Sequence, residues 1–286
     1  VNGANVPGWE GAVRFGRGQY AVAEVDESDK SLVAFKPYAA IVTNASADHY
    51  SKEEMDEVFD AFVKDAPGPV IDGRKGSCSI VRLGDCSIGR LREVLPIPGE
   101  HNLQNAEHAV RMAVALGVSE EKAIAAMATF RGVERRLQLI SPSRQQSNNP
   151  NNRTVEQFPV VYDDYAHNPE KLHAMWTTLA EKYPEGICVI WRPHGYAPLR
   201  KMMDALAAMF AETVRPQDKL LLLPVYDAGG TTDRSVNSDE LLRRLKAIEQ
   251  SEQSNNRTIQ VSDLEAAYAW CAAHRGDYAA FVTCGA

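Results

Sequence analysis

The sequence predicts an α/β protein of two domains, the second of which has a mainly parallel sheet. Its 286 residues are enough for two domains that each bury a core of ordinary size. From about Pro159 onward, short apolar runs alternate with amphipathic stretches of helical length. Buried strands separated by helices are typical of a parallel sheet that helices cover on both faces. Such a sheet binds ligands beyond the carboxyl ends of its strands.

The composition argues against several classes of function. Hydrophobic residues make up 44% of the chain and charged residues 24%, as in a globular protein. The net charge of −7 disfavours general binding to nucleic acid or to an anionic membrane. No apolar run approaches the roughly 18 residues of a membrane helix, and residues Val1 to Gly11 lack the pattern of a signal peptide. The five cysteines form no CxxC pair and no even disulfide framework, so we expect a cytoplasmic protein.

In the first part of the chain, two strands and two helices are predicted. Tyr20–Val25 and Ala39–Asn44 are apolar runs of strand length. Leu103–Leu116 repeats apolar residues at helical spacing. Ser119 is a plausible N-cap for a second helix that reaches Phe130.

In the second part, which we expect to begin close to Leu137, strands and helices alternate. Two segments rich in Ser, Asn and Gln, SPSRQQSNNPNNRTVEQ and EQSEQSNNRT, are predicted surface loops. The predicted strands are PVVYD, ICVIW, KLLLLPV, TIQV and AAFVTC, and the predicted helices open near Pro169 and Ser238 or lie in RKMMDALAAMF and LEAAYAWCAAH.

Acidic and imidazole side chains follow the first two predicted strands. Glu24 lies at the end of the first strand in AEVDESD, and Asp48 and His49 come just after the second in TNASADHY. Adjacent strand ends would bring these groups to one edge of a sheet, where a carboxylate and an imidazole can share a divalent cation. The alternative is a solvated acidic loop with an unrelated histidine.

Two later segments combine charged groups with histidines. In VYDDYAHNPEKL, a buried strand is followed by Asp164, His167 and a helix that starts at Pro169, where the missing N–H costs little. RPHGYAPLRKM contains His194 and Arg200 after the next strand. Taken alone, a histidine at a helix start is more often structural.

Five motifs occur in one order between Tyr20 and Ala286. They are AEVDESD with IVTNASADH, PGEHNLQNAEHAVRMAVALG, FRGVERRLQ, VYDDYAHNPEKL and RPHGYAPLRKM. In this order they resemble the Mur ligases, which use ATP to join an amino acid to the carboxylate of a cell-wall precursor, and most closely the alanine-adding members. The resemblance implies a central ATP- and magnesium-binding domain over residues 1–137. It also implies a Rossmann-like domain for the amino acid and ATP over residues 138–286.

In the central domain, the resemblance implies five site residues. Glu24 and His49 would hold Mg²⁺. Asn102 and Asn105 would contact the adenine, because a carboxamide offers both a donor and an acceptor to the purine edge. If the motif is set aside, Asn102 is as readily a helix cap. Arg136 would bind the γ-phosphate, since a guanidinium donates in a planar fork.

In the C-terminal domain, the resemblance implies four more site residues. Asp164 would contact the ribose of ATP, and His167 would face the phosphate or the reacting acyl group. His194 and Arg200 would handle the incoming amino acid, with Arg200 pairing with its carboxylate.

The resemblance implies an ATP-dependent ligase of peptidoglycan precursor synthesis. Its substrates would be ATP, an amino acid and a UDP-sugar precursor of the UDP-N-acetylmuramate type, joined through an acyl phosphate. Ligases that recycle muramyl tripeptide or extend cyanophycin or folylpolyglutamate are alternatives within the class. A non-catalytic nucleotide-binding module is the alternative from another class. The amino acid, the acceptor and the oligomeric state stay open.

The sequence departs from the family pattern at several points. It contains no G-x-x-x-x-G-K-[ST] loop, so we expect a fragment of a longer protein that is inactive alone. Gly195 and Pro198 stand where the alanine-adding members have arginines near their amino-acid substrate. Asn168 replaces a histidine and Ser51 an aspartate. We therefore expect the amino acid to be bound differently.

Overall fold

The chain forms two compact units, Val1–Val133 and Glu134–Ala286, and each is described by itself. Among the described residues, no helix is long and apolar enough to cross a membrane. The computed structural model describes residues 3–27, 29–44, 51–75, 83, 85–140, 159–249 and 257–285.

The first unit combines a small parallel sheet with helices. Two strands, counted over the residues described in this unit, pair in parallel, with Ala40 opposite Val70. A cluster of buried apolar residues, which includes Leu91, Leu103 and Val110, joins three of the helices. The elements are β1 (Ala40–Val42), α1 (Lys52–Val63), β2 (Val70–Asp72), α2 (Asp85–Val94), α3 (Glu100–Ala115) and α4 (Glu120–Met127).

Side-chain caps explain where two of these helices begin. Ser51 and Glu54 form a capping box at the start of α1, because each side chain accepts the other residue's backbone N–H at 3.2 Å. The predicted N-cap of α4 is confirmed, since the Ser119 hydroxyl accepts the N–H of Lys122. α4 ends at Met127, before the predicted limit.

The prediction of a strand at Tyr20–Val25 is wrong. No strand is assigned there, and Val22 is 82% exposed. A strand requires a hydrogen-bonded neighbour, and among the described residues β1 pairs only with β2. Glu24 therefore does not lie at the end of a strand, contrary to the prediction from the sequence.

The second unit has the predicted α/β fold with a mainly parallel sheet. In the described part of this unit, six strands lie in the order β3-β4-β8-β5-β6-β7, and of these only β3 is antiparallel. The elements are β3 (Gln138–Leu139), β4 (Val160–Asp164), α5 (Pro169–Lys182), β5 (Ile187–Arg192), α6 (Tyr196–Thr213), β6 (Lys219–Leu222), α7 (Ser238–Glu249), β7 (Thr258–Gln260), α8 (Leu264–Ala273) and β8 (Ala280–Gly285).

Helices cover both faces of this sheet, as the alternation predicts. Trp191 of β5 packs on one face with Trp176 and Phe210 from α5 and α6. Ile190 points to the other face, where Ala267 of α8 lies. Successive strand residues face opposite sides, so β5 is buried on both.

A buried carboxylate also ties several elements together. The side chain of Asp218 is fully buried. Its oxygens accept the Trp176 indole N–H at 2.8 Å and the Ile187 backbone N–H at 3.0 Å. The Arg215 guanidinium donates to both oxygens, at 2.9 and 2.8 Å. This charge is therefore paired and hydrogen-bonded, as a buried charge must be.

Candidate functional site

The candidate site lies at the carboxyl ends of β4, β8 and β5, which are neighbours in the sheet. Asp164 ends β4 opposite Cys284, and Arg192 ends β5 opposite Gly285. Gly285 has a φ of 93°, and a Cβ there would lie 2.0 Å from the Arg192 carbonyl oxygen. Only glycine allows this close approach. The position of the edge matches the expectation for a parallel sheet.

Asp164 is buried at this edge, and both of its oxygens are hydrogen-bonded. Oδ2 accepts the backbone N–H of Leu137 and Oδ1 that of Ala166, each at 2.7 Å. Burial raises the pKa of the Asp164 carboxyl, while these two bonds and the charge of Arg136 oppose the rise. The carboxylate fastens the turn before β3 to the end of β4.

Arg136 lies in this turn with an exposed side chain. The residues on both sides of it, Arg135 and Leu137, adopt left-handed backbone conformations with φ of 56° and 46°. Such conformations are strained for residues other than glycine and persist where the surroundings hold them. Here the Asp164 carboxylate binds the N–H of Leu137 and the Tyr165 N–H binds the carbonyl of Arg135.

Three rings meet where β4 and β5 end, and we call Tyr165, His167 and His194 the ring cluster. The Tyr165 ring lies edge-on to His167 and to His194, with centroids 5.1 and 5.3 Å apart. The two imidazole centroids are 5.6 Å apart. The Tyr165 hydroxyl oxygen is 3.1 Å from Nε2 of His194. The structure thus brings together His167 and His194, two predicted site residues from different strand ends.

The hydrogen bonds of His167 define which ring nitrogen carries a proton. Nδ1 lies 2.8 Å from the carbonyl oxygen of Tyr165. A carbonyl can only accept, so Nδ1 donates its N–H. In the neutral ring, Nε2 is then an acceptor, which suits a histidine that receives a proton. Asn168, which follows, caps α5 by accepting the N–H of Lys171 at 2.9 Å.

Two guanidinium groups lie over tyrosine rings near the cluster. Arg135 lies 4.7 Å from the centroid of Tyr165, and Arg192 lies 5.2 Å from that of Tyr226. The Tyr226 ring stacks near His194, with centroids 6.5 Å apart. Sequence reasoning did not identify Tyr165, Tyr226 or Arg192 as site residues. Their signal was an aromatic or basic residue at or shortly after the carboxyl end of a buried strand.

Arg200 is engaged with the connection between β6 and α7. Its guanidinium lies 2.7 Å from the Asp233 carboxylate and donates to the Ser235 hydroxyl at 3.1 Å. In the same connection, Arg234 pairs with both oxygens of Asp227, at 2.7 and 3.0 Å. A hydrogen bond from Ser235, with help from Arg200, lowers the pKa of the exposed Asp233 carboxyl. A substrate carboxylate would compete with Asp233 for Arg200.

In the first unit, the predicted asparagines lie on α3. Asn102 and Asn105 are one turn apart and so share a face of the helix. The Asn102 side chain donates to the Pro98 carbonyl at 2.6 Å, and Gly99, not Asn102, is the N-cap. The capping alternative for Asn102 is therefore wrong.

The predicted metal ligands are only partly described. Glu24 accepts the backbone N–H of Gly3 at 2.6 Å, and His49 lies outside the described residues. Within the described ranges, no group of three or more His, Cys, Asp or Glu side chains could hold a metal ion. The pairing of Glu24 with His49 stays a prediction.

Residues 152–286 match the family described as Mur ligase, glutamate ligase domain. Curated relatives include UDP-N-acetylmuramate–L-alanine ligases from Koribacter versatilis, 28% identical over 94% of this chain and 64% of that protein, and from Rhizobium etli, 28% identical over 86% and 59%. A solved UDP-N-acetylmuramate-alanine ligase from Thermotoga maritima matches with a TM-score of 0.61 and 19% identity, over 91% of this chain and 59% of that one.

The expected resemblance to the Mur ligases, and to their alanine-adding members in particular, is confirmed by these matches. The structural likeness supports the predicted fold class. The chain spans about three fifths of the length of the curated relatives that it matches.

Proposed function

On the premise that residues 152–286 match the Mur ligase family, we propose that this chain is the catalytic core of an ATP-dependent carboxylate–amine ligase. The ligase joins an amino acid to a UDP-N-acetylmuramate-type carboxylate in peptidoglycan precursor synthesis, in the cytoplasm. The observation that carries the proposal is the ring cluster beside Asp164, because it places two imidazoles and a buried carboxylate at the ligand-binding edge of the sheet.

The proposed reaction has two steps. The precursor carboxylate attacks the γ-phosphate of ATP, which gives an acyl phosphate and ADP. The amine of the amino acid then attacks the acyl carbon, the bond to phosphate breaks, and inorganic phosphate leaves. Phosphoryl transfer depends on positioning and on stabilisation of charge. The reaction therefore needs groups that bind ATP, a bound cation, and a base that accepts a proton from the amine.

Asp164 and Arg136 suit the ATP ligand. Each Asp164 oxygen accepts one backbone N–H and carries a further lone pair that a ribose hydroxyl can use. Arg136 is exposed in a turn that this carboxylate holds, and the planar guanidinium fork of Arg136 matches phosphate oxygens.

In the first unit, Asn102 and Asn105 are proposed to contact the adenine. They share one face of α3, as contacts to one adenine require.

Magnesium is the cation that we assign to Glu24 and His49. The Glu24 carboxylate is exposed, and the Gly3 N–H orients one of its oxygens. Carboxylate oxygen is a ligand that magnesium prefers. When bound, the ion would neutralise charge on the phosphate oxygens.

His167 is the proposed residue for the acyl and amine groups, and His194 is proposed, with Arg200, for the incoming amino acid. Since Nδ1 of His167 donates to the Tyr165 carbonyl, the Nε2 of its neutral form accepts a proton from an incoming ammonium or amine. Arg200 would bind the carboxylate of the amino acid in exchange for Asp233. The exposed Arg200–Asp233 pair is weak enough to be exchanged.

The test is amide formation and phosphate release by the full-length gene product. The assay offers ATP, magnesium, UDP-N-acetylmuramate or its peptide derivatives, and a panel of L- and D-amino acids. We expect phosphate release that requires both acceptor and amino acid, with one amide formed per phosphate. ATP binding without amide formation across the panel would favour the non-catalytic alternative. Activity only with muramyl tripeptide, cyanophycin or folate acceptors would favour one of the alternative ligases over the proposed one.

A further inference from the structure

His194 is exposed, yet aromatic contacts hold its ring on two sides. It follows β5, where a short connection leads into α6. The Tyr165 ring meets it edge-on, and the Tyr226 ring stacks near it. Its Nε2 lies 3.1 Å from the Tyr165 hydroxyl. Tyr165 is therefore the neighbour that both packs against His194 and hydrogen-bonds to it.

Tyr165 is itself held by Arg135. Its backbone N–H donates to the Arg135 carbonyl at 2.7 Å, and the Arg135 guanidinium lies over its ring at 4.7 Å. Arg135 in turn donates to the carbonyl of Gly285 at 2.8 Å and lies 3.4 Å from the Asp163 carboxylate. These contacts connect the ends of β4 and β8 to the Tyr165 ring.

The cation over the ring has a chemical consequence for the hydroxyl. Positive charge at the face of an aromatic ring attracts its electron density. The O–H of Tyr165 thereby becomes a stronger hydrogen-bond donor, so in the contact with Nε2 we assign the hydroxyl as donor. Nε2 of the neutral imidazole is then the acceptor, and Nδ1 carries the proton.

We propose that Arg135 and Tyr165 are positioning residues that hold His194 in one orientation and in the Nδ1-protonated tautomer. The pair prepares an imidazole N–H donor for the carboxylate of the amino acid before the substrate arrives, which lowers the ordering cost of binding. The inference rests on the proposed function only for the identity of that substrate. The contacts between Arg135, Tyr165 and His194 do not depend on it.

The direct test determines the His194 tautomer in the full-length protein by NMR spectroscopy. Uniform ¹⁵N labelling of histidine reports the two ring nitrogens separately, and His194→Gln assigns the signals. We expect the Nδ1-protonated form in the parent protein at a pH where the ring is neutral. Tyr165→Phe keeps the ring and removes the hydroxyl, so its spectrum should shift towards the Nε2-protonated form. Tyr226→Phe is the matched control, because it removes a hydroxyl from the other ring beside His194.

A kinetic measurement gives the second readout. Loss of one hydrogen bond corresponds to about a three- to tenfold effect. We expect Tyr165→Phe to raise the KM for the amino acid by about that factor, with the KM for ATP changed less than about twofold. Arg135→Gln should act in the same direction, and Arg135→Lys, which keeps the cation over the ring, should be closer to the parent.

The outcomes separate this inference from the proposed function. Unchanged His194 ring-nitrogen signals in Tyr165→Phe would overturn the positioning role, whatever the protein catalyses. Equal shifts in Tyr226→Phe and Tyr165→Phe would overturn it as well, because the effect would not come from the hydrogen bond. A tautomer shift in a protein without ligase activity would support the positioning role and remove the proposed function.

Discussion

Asp164 and Leu137 are joined by a 2.7 Å hydrogen bond from the Leu137 backbone N–H to the buried Asp164 carboxylate. Leu137 has a φ of 46°, which a leucine rarely adopts. The bond therefore offsets the cost of an unfavourable backbone conformation, and it holds the neighbouring Arg136 near the end of β4. A single carboxylate thus links the local strain of a turn to the placement of a proposed phosphate ligand.

Asp164→Ala should lower the free energy of unfolding by about 2–4 kcal/mol, because it removes the acceptor of two backbone N–H groups. Urea denaturation monitored by tryptophan fluorescence measures this. Asp164→Asn keeps one acceptor oxygen and should lose less. If the Ala variant unfolds at the same urea concentration as the parent, the carboxylate does not hold the turn.

The pKa of Asp164 makes a second prediction. Burial raises this pKa above its ordinary value of 3.8 in the folded protein, so the folded state holds the proton more tightly than the unfolded state. The contribution of Asp164 to stability should fall as pH rises from 3.8 to the folded pKa, and then stay constant. The stability difference between the parent and Asp164→Asn, measured in urea at several pH values, should shrink over that window. A difference that grows with pH would mean a lowered pKa.

Asp218→Ala should be among the most destabilising substitutions in the second unit. It leaves the Trp176 indole N–H without its acceptor and Arg215 without its buried partner. Removing one member of such a pair costs about 3–5 kcal/mol. Glu181→Ala, an exposed carboxylate on α5, is the control and should change stability by less than about 0.5 kcal/mol. Similar urea midpoints for the two variants would contradict the structural role.

Glu24→Ala and His49→Ala should each raise the magnesium concentration needed for half-maximal turnover of the full-length enzyme. Each removes a proposed magnesium ligand, while the melting temperature should stay unchanged. Glu27→Ala, which removes a carboxylate from the same motif, is the control. An unchanged magnesium dependence in both Glu24→Ala and His49→Ala would disprove the metal assignment.

Pro198→Arg should change the KM for the amino acid more than the KM for ATP, because it adds a cation between His194 and Arg200 in the sequence, the two residues proposed to bind the amino acid. The site is suitable, since Pro198 is exposed in the first turn of α6. Gly195 is a poorer position, because its φ of 137° would strain an arginine. Ala208→Arg adds the same charge at an exposed site further along α6 and serves as the control. Equal effects of the two arginines would place the amino acid elsewhere.

Most elements of the second unit could be predicted from the sequence alone, because they depend on local patterns. Alternating apolar runs indicated β4, β5 and β8, and Pro169 marked the start of α5. The sequence also predicted His167 and His194 as site residues, through motifs that lie within a few residues of a strand end. In the first unit, Ser119 could be predicted as the N-cap of α4, because a cap also depends on a local sequence pattern.

Which of these groups meet could not be predicted from local patterns, because it depends on contacts between segments distant in sequence. Tyr20–Val25 has the composition of a strand but no partner among the described strands, since pairing is set by residues distant in sequence. The contacts of Tyr165 with His194 and of Asp164 with Leu137 likewise join segments that are separated along the chain. The identity of a side chain limits which hydrogen bonds it can make. The order of the strands and the burial of the sheet's carboxyl-terminal edge decide which partner lies within hydrogen-bonding distance.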